Sequence, residues 1–332
     1  MDDAHAVAAG RGAPRCTRIA IQTPDDMPFR FRPLAWLPPA AVKYIYTVIL
    51  RPAPLRAAAQ FVIKRFIPEH LTFRGVRLAL NQDDAIVSGS LALGTYEEFE
   101  IGVFESFLAP GMNVFDVGAN IGLYSAMAAR RIGSAATVVA VEPGPDNCDF
   151  IRKTIALNGY TNVRVFQKAV GDRTGEAMLY LCSNNKADHR IYARGALGER
   201  KTVPVAIVRL DDLIAEHALP LPDVMKVDIQ GAEQLAIEGM RDTLARQANI
   251  VVFMELWPWG IRQAGGDASQ LLRTLRELGF RIYELDGDRE EIHLVTDDAE
   301  LAARGLERQH ANLLLARDPI DVPAILRAAG YD

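Results

Sequence analysis

Asn113-Val114-Phe115-Asp116-Val117-Gly118-Ala119-Asn120-Ile121-Gly122 decides the fold. A β-branched run ends on an acid and passes into two glycines four residues apart, ahead of an Ala-rich stretch from Leu123 to Arg131. That order predicts a strand, a tight loop and a helix. Glycines at such a junction let the backbone turn sharply and approach a ligand, and open α/β sheets bind ligands outside the carboxyl ends of their strands.

Similar apolar runs follow at 137–141, 163–166, 224–227 and 250–254, with helical segments expected at 146–158 (opening on an Asp146 cap), 231–246 and 267–278. Strand-like stretches at 280–285 and 312–316 close the region. Buried-looking strands alternating with helices predict a mostly parallel sheet covered on both faces, so the fold class is α/β. Upstream, a hairpin is expected from 76–80 and 85–87, turning at Asp83-Asp84, and then a helix through 96–108 stopped by Pro110-Gly111. Between 170 and 210, segments 177–181 and 202–207 flank a polar stretch, which predicts an inserted β-hairpin with a mobile tip.

The chain has 332 residues, 49% hydrophobic and 24% charged, enough to bury a sizeable core. Its net charge of −5 provides no positive field to recruit nucleic acid, so no nucleic-acid partner is expected. Residues 1–74 stand apart, with eleven basic against five acidic side chains and nine of the eighteen prolines. The expected organisation is a proline-rich basic arm at 1–74, a main domain at 75–317 and a tail at 318–332. The apolar stretch 40–50 contains Lys43 and is far shorter than the ~20 residues needed to cross a bilayer. Two readings of the arm stand: a kinked helical arm packed on its own core, and a peripheral membrane contact in which apolar residues sit among Arg51, Arg56, Lys64 and Arg65. The opening Met1-Asp2-Asp3 lacks a positive n-region, and Cys16, Cys148 and Cys182 are too scattered for a disulfide framework; a cytoplasmic setting is expected.

The loop chemistry narrows the ligand. Gly118 to Gly122 lacks the dinucleotide G-x-G-x-x-G spacing, and Asp116 stands where a pyrophosphate would want positive potential. A cationic ligand suits it better. Glu142, twenty residues beyond Gly122 at the end of the next strand, is placed to accept both hydroxyls of a ribose. A nucleoside that carries positive charge and no phosphate is S-adenosylmethionine. Two other classes stand beside this reading, a nucleotide-dependent oxidoreductase and a non-catalytic cofactor-binding module; competition by S-adenosylhomocysteine but not NADH would separate the first.

Asp116-Val117-Gly118-Ala119-Asn120-Ile121-Gly122, Val141-Glu142-Pro143, Lys168-Ala169-Val170-Gly171-Asp172, Leu210-Asp211-Asp212-Leu213 and Lys226-Val227-Asp228-Ile229-Gln230-Gly231-Ala232-Glu233 occur in that order. This set, spanning about 75–317, resembles the FkbM family of S-adenosylmethionine-dependent methyltransferases. The resemblance implies a class I methyltransferase (Rossmann-like) sheet of seven strands, the last antiparallel, and methylation of a hydroxyl on a sugar, glycan or secondary metabolite. It departs at Gln230, where the family often carries Glu. Carried over, Asp116, Gly118, Asn120 and Gly122 would line the methionine end of the cofactor. Glu142 would hold the ribose, Lys168-Ala169 would lie beside the adenine, and Asp228 would face the reacting methyl or the ammonium.

A hydroxyl nucleophile must lose its proton, and a positioned carboxylate or imidazole takes it. The candidate catalytic residues are Asp228, Glu255 at the end of the fifth strand, and His189 in the insertion. Asp228 has a structural alternative, as a cap for the helix opening at Gly231. Asp228, Glu233 and Glu255 supply oxygens of the kind Mg²⁺ takes, but no His/Cys cluster accompanies them, and no metal is expected. Trp257 and Trp259 suit either stacking on an acceptor or packing over the sheet.

Overall fold

A computed structural model describes residues 53–182, 188–192, 200–304 and 309–331. The expectations for residues 1–52 and for the insertion's tip at 183–187 and 193–199 lie outside the described residues. The helix Ala53–Lys64 and the turn after it leave Phe61, Val62 and Phe66 exposed. Among the described residues no helix is long and apolar enough to cross a membrane.

β1 (His70–Phe73) and β2 (Val76–Ala79) form the first hairpin, joined by Arg74-Gly75. Both turn residues have positive φ, +46° and +79°, the geometry whose twist suits a two-residue hairpin loop. The hairpin therefore lies upstream of the one expected at 76–87. Asp84 does not turn strands. Its carboxylate accepts the N–H groups of Ile86 and Ser88 at 3.1 and 3.3 Å and starts the helix Val87–Leu93. Ile67, Leu71 and Phe73 are buried in the same core, so the folded unit begins before residue 74. The C-terminal segment is likewise no appendage: the helix Val322–Ala329 buries Val322 and Leu326, and Tyr331 meets Phe99 edge-on at 5.6 Å.

The central sheet starts with β3 (Val114–Val117), β4 (Val138–Val141) and β5 (Val163–Phe166). The insertion is a separate three-stranded sheet of β6 (Ala169–Val170), β7 (Gly175–Leu181) and β8 (Lys201–Val208), with β7 and β8 as its antiparallel hairpin. β9 (Val224–Val227), β10 (Val251–Leu256), β11 (Arg281–Asp286), β12 (Glu291–Leu294) and β13 (Ala311–Ala316) complete the main sheet. Its order is β12-β11-β13-β10-β9-β3-β4-β5. The run from β10 to β5 is parallel, and β13 enters antiparallel between β10 and β11. The sheet thus has eight strands rather than seven. The extra one, β12, is a polar and largely exposed return strand that pairs, among the described residues, with β11; without buried apolar positions it gives no strand signal in the sequence.

Helices cover both faces. Val114, Val138 and Val224 pack with the helices Glu98–Ser106 and Leu123–Ile132, whereas Phe115, Val117, Met225 and Val227 pack with the helices at 210–217 and 268–277. Strand side chains alternate between faces, so Asp116, two residues beyond Val114, and its register partner Lys226, two beyond Val224, share the first face. Glu255, two beyond Phe253, joins them. Parallel strands ending together bring Asp116, Glu142, Asp228 and Glu255 to one rim, and the strand order reverses between β3 and β9. That switch point is where open sheets hold ligands.

Two helix expectations change. The helix Pro145–Asn158 starts from Gly144 with Pro145 in its first turn, so Asp146 is not its cap. The expected 231–246 helix is two, Glu233–Glu238 and Arg241–Arg246. At the break Asp211 accepts from Thr243 N–H (2.9 Å), Thr243 Oγ1 (2.7 Å) and Asp242 N–H (3.2 Å). The Leu210-Asp211-Asp212-Leu213 motif is therefore structural here. Asp211→Ala is expected to lower the unfolding free energy by about 1–2 kcal/mol, read as an earlier urea midpoint; an unmoved midpoint would show that these bonds contribute nothing.

Candidate functional site

The β3–β4–β9 rim holds a cavity lined by Asp116 to Ile121, Leu123, Tyr124, Val141, Glu142, Lys168, Ala169, His189 and the segment after β9. Gly118 takes φ +86°, and a Cβ there would overlap the Asp228 carbonyl oxygen, so only glycine lets these two loops close on each other. Gly122, at φ +85°, brings the start of helix Leu123–Ile132 against Ile151. Asn120 sits in the left-handed region that Asn tolerates, lines the cavity, and carries a buried Oδ1 with no hydrogen-bond partner.

Glu142 is buried at 4% exposure. One oxygen accepts Asn120 N–H at 2.9 Å; the other accepts Gly144 N–H at 2.9 Å and Asn147 Nδ2 at 3.1 Å. Burial outweighs these donors and lifts its pKa to about 7. Asp116, equally buried, accepts from Ser125 Oγ at 2.6 Å, and burial raises its pKa against the pull of Lys226.

Asp228 receives Lys226 Nζ at 2.8 Å and Gln230 Nε2 at 3.0 Å. Burial works against its charge, but the ammonium and the hydrogen bonds hold its carboxyl below the usual range. It does not cap the helix after Gly231. Gln230 also donates to Glu255 Oε2 at 2.9 Å from a left-handed backbone, φ +55°. An amide is suited to this place because it gives a donor to two carboxyl groups; a glutamate would add a third acid. Burial and the Asp228 charge push Glu255 well above the ordinary carboxylate range. Glu233 is buried, with one oxygen on Gly231 N–H and the other unpaired. Among the described residues no group of three or more His, Cys, Asp or Glu is arranged to hold a metal ion.

The expected residues Asp116, Gly118, Asn120, Glu142, Ala169 and Asp228 all line this one cavity, and Glu255 joins Asp228 through Gln230. His189 lines the same cavity, at its β4 end. It stands beside Gly144, with its Nδ1 accepting Cys182 N–H at 3.2 Å, because the Tyr180–Arg190 bridge of the insertion holds it over the end of β4. The two tryptophans turn toward Arg190, whose guanidinium lies 4.7 Å from the Trp257 ring and 5.6 Å from Trp259. That favours packing over acceptor stacking.

Four residues were missing from the expectations: Lys226, Tyr96, Tyr124 and Glu97. Lys226 and Tyr124 border both the rim cavity and a second, small cavity, which Glu97, Glu100, Glu255 and Asn312 also line. A wider groove beyond shares Glu97, Glu100 and Asn312 and is lined by Glu98, Asp286, Asp288 and Glu290. Lys226 was legible as a charge at the third position of the run Val224-Met225-Lys226-Val227, matching Asp116 in Val114-Phe115-Asp116-Val117.

Residues 116–282 match the family model described as Methyltransferase FkbM domain. The chain is 29% identical over 201 residues to methyltransferase sdnD of Sordaria araneosa, covering 51% of this chain and 73% of that protein. It is 25% identical over 224 residues to the 31-O-demethyl-FK506 methyltransferase FkbM of Streptomyces tacrolimicus, covering 59% and 82%. It is also 25% identical over 182 residues to the hexuronic acid methyltransferase AglP of Haloferax volcanii, covering 53% and 67%.

Proposed function

The chain belongs to the FkbM family of S-adenosylmethionine-dependent methyltransferases, and from that premise we infer that it methylates a hydroxyl of a small molecule or glycan. The observation that carries this reading is one rim cavity with a buried carboxylate at each end, Glu142 on the β4 side and Asp116 on the β3 side, where the half-buried Asp228 of the β9 end joins it. The donor set fits the cofactor. Glu142 suits a ribose diol, since an ionised carboxylate only accepts. Asp116, Asp228 and the orphan Asn120 Oδ1 offer acceptors to a cationic amino-acid tail. Ala169 and Val141 supply an apolar wall for a base, and Lys168 lies beside them. When bound, the sulfonium supplies an electrophilic methyl group. The chain's part is to align the acceptor oxygen with it and to take the oxygen's proton.

Two relatives are named for an O-demethylated compound and a hexuronic acid, and from them we take an oxygen-bearing small molecule or glycan as the acceptor class. The test is calorimetric titration with S-adenosylhomocysteine, followed by a mass-shift screen of hydroxylated acceptors with isotope-labelled S-adenosylmethionine. Failure of S-adenosylhomocysteine to bind, or displacement by NADH alone, would end the methyltransferase reading.

The acid-rich groove adds a preference. Carboxylates along an approach path repel an anionic acceptor and leave a neutral one unaffected. A neutral methyl glycoside is therefore expected to exceed its matching uronate about tenfold in kcat/KM at low salt, with the gap narrowing as salt screens the groove. Equal rates for the pair at low salt would remove the groove from the acceptor's path.

A further inference from the structure

We propose that Glu97, outside the segment matched by the family model, is the catalytic base that receives the acceptor's hydroxyl proton. This rests on the methyltransferase reading above and assigns its acceptor side.

The cavities carry the first part of the argument. Tyr124 and Lys226 are shared by the rim cavity and the second cavity, so they stand where the cofactor side meets the outer cavity. Glu97 lines the second cavity and the outer groove, on the outer side of that pair. Its Oε2 accepts the Tyr124 hydroxyl at 2.8 Å, which fixes the carboxylate at the inner mouth.

The backbone carries the second part. Glu97 is the residue preceding the helix Glu98–Ser106, yet it makes no capping hydrogen bond and sits at φ +40°, ψ +38°. Left-handed backbone costs a non-glycine residue about 1–2 kcal/mol, and such strain gathers at functional sites. A helix start of this kind favours Ser, Thr, Asp or Asn. Here the carboxylate forgoes the cap and turns to the tyrosine.

The rival carboxylates are occupied. Asp228 accepts from both Lys226 and Gln230 and stays anionic, which makes it a weak base. Glu255 is tied to Asp228 through Gln230 Nε2, which donates to its Oε2 at 2.9 Å, and burial with the Asp228 charge raises its pKa. Glu97 faces Lys226 and Asp228 from the sheet, Tyr124 from the helix behind, Tyr96 and Glu100 from its own segment, and Glu255 from β10. Burial dominates and brings its carboxyl to about 7, where a base both exists at neutral pH and holds a proton usefully. In the step, the acceptor O–H bond breaks with its proton going to Glu97 as the new O–C bond forms, the C–S bond breaks with its electron pair staying on sulfur, and Glu97 later returns the proton to water.

Glu97→Gln keeps an oxygen for Tyr124 but removes the base. With isotope-labelled S-adenosylmethionine and a panel of methyl glycosides, the variant is expected to lose about 10²-fold in kcat while its calorimetric affinity for S-adenosylhomocysteine stays within about twofold. Wild-type kcat should fall as pH drops through about 7; Glu97→Gln should lose that acid limb and Glu97→Asp should recover part of the rate. Independently of turnover, the ¹³C-carboxyl glutamate resonance that vanishes in Glu97→Gln should titrate near 7 in the S-adenosylhomocysteine complex. A variant kcat within threefold of wild type, or a Glu97 resonance that titrates in the ordinary carboxylate range, overturns the assignment. Wild-type protein that does not bind S-adenosylhomocysteine at all would instead bring down the reading beneath it.

Discussion

Lys226→Met is expected to destabilise the protein by about 1.5–3 kcal/mol at pH 8, the range of a hydrogen bond between charged groups. Lys226 is half-buried on β9, its Nζ 2.8 Å from Asp228 and 4.5 Å over the Tyr124 ring. Burial alone would pull its ammonium down, but Asp228, Glu97 and Asp116 hold it above the ordinary lysine range. It is the cation that makes these acids tolerable together on one sheet face. Methionine fills the volume without the charge, so the loss is electrostatic and not a cavity. The pH dependence separates the two causes. In the wild type, Asp228 is held below its ordinary pKa, and the stability this gives is present above that pKa and lost as pH falls through the depressed one. In the variant the acids take up protons more readily, so the deficit should shrink between pH 8 and pH 5. Denaturant midpoints at the two pH values decide it. A variant as stable as wild type at pH 8 would mean that the acids do not depend on this lysine.

The architecture was legible because the strands announce themselves. Val114-Phe115-Asp116-Val117 and Val138-Val139-Ala140-Val141 are β-branched runs too short for helices, each followed by a glycine or proline junction. The cofactor-side residues were legible for the same reason: Asp116 and Glu142 sit at strand ends, a position fixed by local pattern. What escaped was whatever depends on distant pairing. Glu97 lies outside every motif, and only the packing of helix Glu98–Ser106 against helix Leu123–Ile132 brings it to Tyr124. His189 lines the rim cavity, but what brings it there is the insertion's pairing with β7, which local spacing cannot reveal. Asp84 and Asp211 looked like a turn and a family signature. Both are helix caps whose targets, at 86–88 and 242–243, become apparent only when the hydrogen bonds are traced.

Glu142→Gln is expected to weaken S-adenosylhomocysteine binding by roughly 10²–10⁴-fold, because two charge-assisted hydrogen bonds at about 1.5–3 kcal/mol each depend on the carboxylate. The fold should survive. Gln restores one acceptor, for Gly144 N–H and Asn147, but turns an amide donor toward Asn120 N–H, a loss of about 1–3 kcal/mol. Against this, the wild-type carboxylate is itself a burden. Its folded pKa of about 7 lies above the ordinary glutamate value, so the folded state binds more protons between those two values and stability falls as pH rises through that window. At pH 8 that burden is complete, and removing it works against the cost of the lost acceptor. The same titration governs binding. A ribose diol donates to the carboxylate and favours the ionised form, so the cofactor must displace a proton below pH 7, and the wild-type Kd should rise by up to tenfold per pH unit as pH falls from about 7. Glu142→Gln has no such proton to lose, and its weak residual binding should be flat over the same range. A wild-type affinity independent of pH, or a variant that binds as tightly as wild type, would take the ribose away from Glu142 and leave the β4 end of the cavity without a chemical role.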